Sequence, residues 1–190
     1  MNKTIKNLSQ AFVGESQARN RYSIYSKIAK KEGYEKISAI FSLTADQEAE
    51  HAKWLMRMIN DLKKENKEFE KIIIEAEVPN ILEDTKENLK TAIAGENYEY
   101  TLMYPNFSRE AEDEGLNDIA KRLRAIAVAE ENHENRYKEL LEEIESGTVF
   151  EKDEEVEWVC RNCGYAHRGK KAIEECPSCG HPQAYFEIKK

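Results

Sequence analysis

The first 159 residues contain no cysteine, and no apolar run anywhere approaches the length needed to span a bilayer. The opening stretch MNKTIKNLSQAFVGES has no continuous apolar segment of the kind an export signal carries. Clustered basic residues are missing too: 29 Lys and Arg stand against 37 Asp and Glu, a net charge of −8, which argues against a phosphate-binding surface. There is no Gly-rich dinucleotide fingerprint. These absences lead us to expect a soluble, cytoplasmic protein with neither a nucleic acid nor a membrane as partner. With 190 residues, 40% of them hydrophobic, the chain has enough material for one good-sized domain plus a small one.

What is present is helical period, from residue 4 to about residue 146. Buried-face positions recur in steps of four and three at Leu8, Ala11, Glu15, Ala18, Tyr22, Tyr25 and Ala29, and at Ile37, Phe41, Thr44, Glu48, His51, Leu55, Met58 and Leu62. The same rhythm continues at Leu89, Ala92, Glu96, Glu99 and Met103, in a helix starting near Leu82, and at Ile119, Leu123, Ile126, Glu130, His133, Tyr137, Leu140 and Ile144. Gly33, Gly115 and Gly147 follow periodic runs and suit helix C-termini. The link from Lys64 to Asn80 carries KIIIEAEVP, which predicts a β-prone or extended crossover between two helical hairpins. Pro105 lacks a backbone donor and predicts a kink near Thr101 to Pro105.

The halves repeat. VGESQARNRY at 13–22 aligns with AGENYEYTLM at 94–103 at an offset of 81, whereas AKKEG with AEDEG, and Glu48-x-x-His51 with Glu130-x-x-His133, align at 82. Each half therefore holds a lone glutamate followed by a Glu-x-x-His, all on apolar stripes. One Glu-x-x-His in so acidic a chain would ordinarily be an exposed helix face. Two copies, holding the only histidines in the first 150 residues, are a different matter. Burying unpaired carboxylates costs several kcal/mol each, so Glu15, Glu48, Glu96, Glu99 and Glu130 need a neutralising charge. Their charge of about −5 is close to what two divalent or two trivalent cations supply, and carboxylate with imidazole suits iron or manganese. A Glu from each of two helices plus Glu-x-x-His from each of the other two is the arrangement of ferritin-like dinuclear carboxylate proteins. Tyr22 and Tyr104, seven and eight residues beyond Glu15 and Glu96, are placed to donate hydrogen bonds to those carboxylates; a plain core role fits them equally.

All four cysteines fall in the last 31 residues, as two C-x-x-C-G knuckles: Cys160 with Cys163, and Cys176 with Cys179. That spacing predicts a tetrathiolate metal site, open between zinc and iron. His167 and His181 are expected to be exposed loop residues, because four sulfurs complete the site.

GESQARNRY, DQEAEHAKW, AGENYEYTLMYP, AIAVAEENHENRY and CPSCGHPQAYFE together resemble the rubrerythrin family over essentially the whole chain. The resemblance implies a mainly α fold: a ferritin-like four-helix bundle with a long crossover over residues 1–148, then a rubredoxin-like β/loop domain over 149–190. It implies a non-haem di-iron centre at Glu15, Glu48, His51, Glu96, Glu99, Glu130 and His133, with an oxo or hydroxo bridge admissible. A third iron is implied at Cys160, Cys163, Cys176 and Cys179. The implied activity is reduction of hydrogen peroxide to water at the diferrous pair, in oxidative-stress defence. The resemblance further implies that electrons pass through the cysteine site from a separate NAD(P)H-linked reductase or a rubredoxin, and that the assembly is a homodimer or higher homo-oligomer. Two rival readings are a ferroxidase or iron-storage protein, and a zinc-ribbon binding module on a structural bundle.

Overall fold

The computed structural model describes residues 3–65 and 71–189, and within them the four periodic stripes become four helical rods. These are α1 (Lys3–Lys31), α2 (Glu35–Glu65), a composite rod of α3 (Thr85–Tyr98) and α4 (Tyr104–Asp113), and α5 (Asn117–Glu145). α1 packs along α2, and the composite rod packs along α5, so each half of the repeat is an antiparallel hairpin. Gly33, Gly115 and Gly147 all adopt positive φ. Past each one the next amide reaches back to the carbonyl five residues earlier: Tyr34 to Ala29, Leu116 to Ala111 and Thr148 to Glu143, each at 2.8 Å. This is the helix-ending motif that glycine makes accessible.

The step from 81 to 82 in the repeat offset has a physical location. Between α3 and α4 the helix widens into a π-helical turn, Glu99–Met103, whose closing bond runs from the Tyr104 amide to the Glu99 carbonyl, five residues back. Such a turn absorbs one extra residue without ending the helix. The disturbance predicted around Thr101 to Pro105 thus takes the form of a wider turn, and Pro105 lies in the first turn of α4, where a missing donor is tolerated. Tyr22 and Tyr104 are thereby returned to equivalent places.

The crossover forms neither helix nor strand over residues 71–84; the part of the predicted link at 66–70 lies outside the described residues. It runs beside α1, where Gln17 Nε2 donates to the Glu77 carbonyl (3.1 Å) and Tyr25 OH to that of Ile81 (2.9 Å). α3 begins at Thr85 rather than Leu82, because Asp84 caps it by accepting from the Glu87 amide. Two further caps are exchanged between the hairpins. Glu32, at the α1–α2 tip, accepts from the Thr85 amide (3.0 Å), while its repeat mate Glu114 accepts from the amides of Lys3 (2.8 Å) and Thr4 (3.0 Å).

Core packing follows the stripes. One apolar cluster, built on Tyr22, Tyr25, Phe41, Leu89, Tyr137 and Leu140, fills the α1–α2 turn end of the bundle. A second, with Leu8, Leu55, Met103, Tyr104, Leu123 and Ile126, fills the other. The glutamates and histidines lie between them.

The C-terminal module is a three-stranded antiparallel sheet in the order β2–β1–β3, with β1 Glu151–Cys160, β2 Ala166–Lys171 and β3 Phe186–Ile188. It has its own core of Trp158, Cys160, Ala172, Cys176 and Phe186. It sits on the α1–α2 turn, where Tyr34 and Phe150 stack at 6.3 Å and Lys152 Nζ donates to Glu143 of α5 at 3.2 Å.

Candidate metal centre

Four rods bring seven sequence-predicted residues to the waist of the bundle. Glu15, Glu48, Glu96 and Glu130 have no exposed surface. Each histidine turns its Nδ1 to the glutamates. His51 Nδ1 stands 3.0 Å from Glu48 Oε2, 2.9 Å from Glu130 Oε1 and 3.7 Å from Glu15 Oε2. His133 Nδ1 stands 3.1 Å from Glu48 Oε1, 2.8 Å from Glu130 Oε2 and 3.5 Å from Glu96 Oε2. Glu48 and Glu130 therefore each give one oxygen to either histidine, while Glu15 belongs to the His51 side and Glu96 to the His133 side. Two groups of four result: Glu15, Glu48, His51 and Glu130; and Glu48, Glu96, Glu130 and His133.

The tyrosines fix the outer carboxylates crosswise. Tyr104 OH donates to Glu15 Oε1 and Tyr22 OH to Glu96 Oε1. The second oxygen of each, Oε2, is buried without a hydrogen-bond partner and turned to its histidine, as are both oxygens of Glu130 and Nδ1 of His133. His51 Nδ1 makes one hydrogen bond here, with Glu48 Oε2, while the remaining buried oxygens and His133 Nδ1 converge at short distance without one, an arrangement that suits a shared cation.

Without cations, charge in this cluster is redistributed among the side chains. Burial drives Glu15 and Glu99 well above the ordinary carboxylate range, helped by neighbouring glutamates, and Glu96 up to about 7. Burial also works to raise Glu48, but its contacts with His133 and His51 prevail and hold it at about 2. For the histidines burial opposes the charge, and the carboxylates outweigh it, raising His51 strongly and His133 to about 11. Burial likewise keeps Tyr22 and Tyr104 protonated, hence as donors.

Glu99 stands apart. It is 9% exposed and belongs to neither group.

In the C-terminal module the four Sγ atoms form a third group, with Cys160 and Cys179 3.8 Å apart and Cys163 and Cys176 3.6 Å apart. A tetrahedron with metal–sulfur bonds of about 2.3 Å has edges of about 3.8 Å, so the quartet fits a single ion. All four cysteines are free rather than disulfide-bonded. Gly164 and Gly180, both at positive φ, close the knuckles by donating to the carbonyls of Cys160 and Cys176 at 2.8 Å. A backbone hydrogen bond at Tyr165 draws Cys163 down to about 6, whereas burial pushes Cys176 up to about 11.

His167 and His181 are not exposed loop residues. His167 lies on β2 opposite Trp158, half-buried with its Nε2 unpartnered, because strand pairing draws it against the sheet. His181 is half-buried, its ring 4.4 Å from that of Tyr185 and its Nδ1 3.3 Å from the Cys179 carbonyl oxygen. Sequence reasoning also passed over Glu134, a carboxylate only 2% exposed that Asn97 (2.9 Å) and Lys138 (2.7 Å) hold just outside the cluster. Its place one turn after Glu130 was the available signal.

Comparison with known proteins finds a match for each part of the chain. The family model described as rubrerythrin matches residues 6–141, and that described as rubrerythrin, rubredoxin-like domain, matches residues 158–187. A relative in Methanocaldococcus jannaschii is 58% identical over 100% of this chain and 94% of its own. The rubrerythrin of Porphyromonas gingivalis is 50% identical over 99% of this chain and 90% of its own. A solved structure of fully reduced, all-ferrous nigerythrin superposes with a TM-score of 0.63 at 30% identity, covering 98% of this chain and 86% of the other.

Proposed function

Since the chain belongs to the rubrerythrin family, with its di-iron bundle and rubredoxin-like iron site, we propose that it reduces hydrogen peroxide to water. The observation that carries this reading is the exchange of oxygens by Glu48 and Glu130, one to each histidine, which would hold two metals side by side. A ferrous pair supplies two electrons at once, enough to cleave the O–O bond without releasing a radical.

The chain's own residues then have separate tasks. Glu48 and Glu130 would span the pair, with Glu15 and His51 completing one end and Glu96 and His133 the other. Tyr104 and Tyr22 hold the end carboxylates by one oxygen and leave the second free to bind. His51 is the more open of the two histidines, with 15% of its side chain exposed against 5% for His133, which makes its side the one we assign to peroxide entry. Glu99 is a fifth carboxylate in reserve, within reach of the His51 end.

Cys160, Cys163, Cys176 and Cys179 would hold an iron suited to one-electron transfer, which would take its electrons from an external reductase or rubredoxin. The domains divide at residues 148 and 149. The module docks at Tyr34, and Glu48 lies 14 residues further along α2, about 21 Å at the helical rise. That span favours a homodimer in which one subunit's module serves its partner's pair. A cytoplasmic setting accords with four reduced cysteines, and no helix among the described residues is long and apolar enough to cross a membrane.

The test is stoichiometric. Anaerobically reduced protein mixed with one equivalent of peroxide per iron pair should consume it without evolving dioxygen. Dioxygen release, or uptake of more iron than the two centres hold, would replace this reading with a catalase or a storage role.

A further inference from the structure

Gly14 lies in the middle of α1, where glycine costs about 1 kcal/mol relative to alanine. It immediately precedes Glu15, and its repeat mate Gly95 immediately precedes Glu96. At Gly95 an added Cβ would crowd a guanidinium, standing 3.2 Å from Arg21 Nη2. At Gly14 the site is open, and the one atom within 4 Å of an added Cβ, outside α1's own backbone, is Glu99 Oε1 at 3.8 Å. The two glycines thus stand beside opposite charges, a guanidinium at one and a carboxylate at the other. Burial works against the charge on Arg21, but Tyr22, Tyr25 and Glu99 together sustain it, so Glu99 has a cation in its surroundings besides the metal pair.

We propose that Gly14 is a positioning residue for Glu99: the space it leaves is the seat where the fifth carboxylate rests beside the metal pair without binding it. A side chain that reaches beyond Cβ fills that seat and drives Glu99 onto the metals. The inference rests on the Glu and His cluster being the metal pair and is independent of any reaction with peroxide.

The experiment uses the full chain with zinc, which is colourless, in the cysteine site, and cobalt(II) titrated into the bundle without oxygen or peroxide. Visible d–d bands of cobalt weaken as coordination number rises, so they report whether a further oxygen has joined. Gly14→Val should bind cobalt about tenfold more tightly, a change of the size, though not the sign, that removing an outer-shell partner produces, with weaker bands. Gly14→Ala adds a methyl at ordinary contact distance from Glu99 Oε1, strengthens the helix, and should leave both readouts close to those of the native chain. In a Glu99→Ala background neither substitution should change the bands. Unchanged affinity and bands in Gly14→Val, or shifts that persist without Glu99, would overturn the proposal. A native chain that takes up no cobalt pair in its bundle would overturn both it and the metal reading, a result told apart by the wild-type titration alone.

Discussion

Tyr104 donates its hydroxyl to Glu15, a residue 89 positions earlier, and so ties the second half of the repeat to the outer carboxylate of the first. Tyr22 returns the same bond to Glu96. Tyr104→Phe would strip a buried oxygen of its donor, at a cost of about 1–3 kcal/mol. We expect a lower melting temperature in the metal-free protein and about tenfold weaker metal binding, with Tyr22→Phe matching it at the other end. Thermal melts and metal titration measure the two effects.

The metal-free bundle should lose stability as pH rises. Glu96, raised to about 7 from 4.5, penalises the fold once it must ionise, through the window between those values. His133, raised to about 11 from 6.5, stabilises the fold fully below 6.5 and ceases to as pH climbs through 11. Both signs agree. Metal binding requires the deprotonated ligands, so the gain in melting temperature on adding metal should grow from pH 5 to pH 9. A constant gain would contradict the assignment of these groups.

Loss of the cysteine site should separate refilling from reaction. Cys160→Ser or Cys176→Ser is expected to abolish turnover with an external donor, yet leave one round of peroxide consumption by the chemically reduced bundle. Rapid-mixing absorbance of the pre-reduced variant measures that round, and its disappearance along with turnover would show the modules inseparable.

Glu99 has no repeat counterpart: subtracting 81 leads to Ala18. In this structure His51 is gathered into the cluster while Glu99 remains outside. An anionic oxygen suits a trivalent ion and a neutral imidazole a divalent one. We expect Glu99 to take the place of His51 on oxidation, visible in paired crystal structures of the two states. Glu99→Ala should keep its iron and turn over peroxide more slowly.

Glu114 offers a test of the bundle alone. Burial nudges its carboxyl upward, but hydrogen bonds from Thr4 and Lys3 prevail and hold it below the ordinary range. Its contribution is present above 4.5 and lost as pH falls through the lowered value. Glu114→Ala should cost about 1 kcal/mol and about 2–4 °C in melting temperature, a deficit that closes in acid.

Much of this was legible because period and chemistry coincide. Glu15, Glu48, Glu96 and Glu130 occupy positions that apolar spacing reserves for the core, and that conflict between residue type and position points to metal from the sequence alone. The cysteine quartet was legible from spacing alone. The π turn was written in the sequence as the change of offset between Glu96 and Ala111, but a one-residue step does not say whether a loop, a kink or a wider turn absorbs it. The exchanged caps of Glu32 and Glu114 were hidden because each joins elements distant in sequence. His167 was misplaced because its surroundings come from strand pairing with Trp158, which the knuckle spacing does not encode.

The exchange of caps has a consequence for how the molecule holds together. An isolated N-terminal hairpin would present Glu32 to no amide and would leave the amides of Lys3 and Thr4 to water, and the C-terminal hairpin would be deficient in the complementary way. Each half carries the missing piece of the other, the relation expected of two subunits joined into one chain. Severing the crossover should therefore yield fragments that reassociate with one another in preference to folding alone.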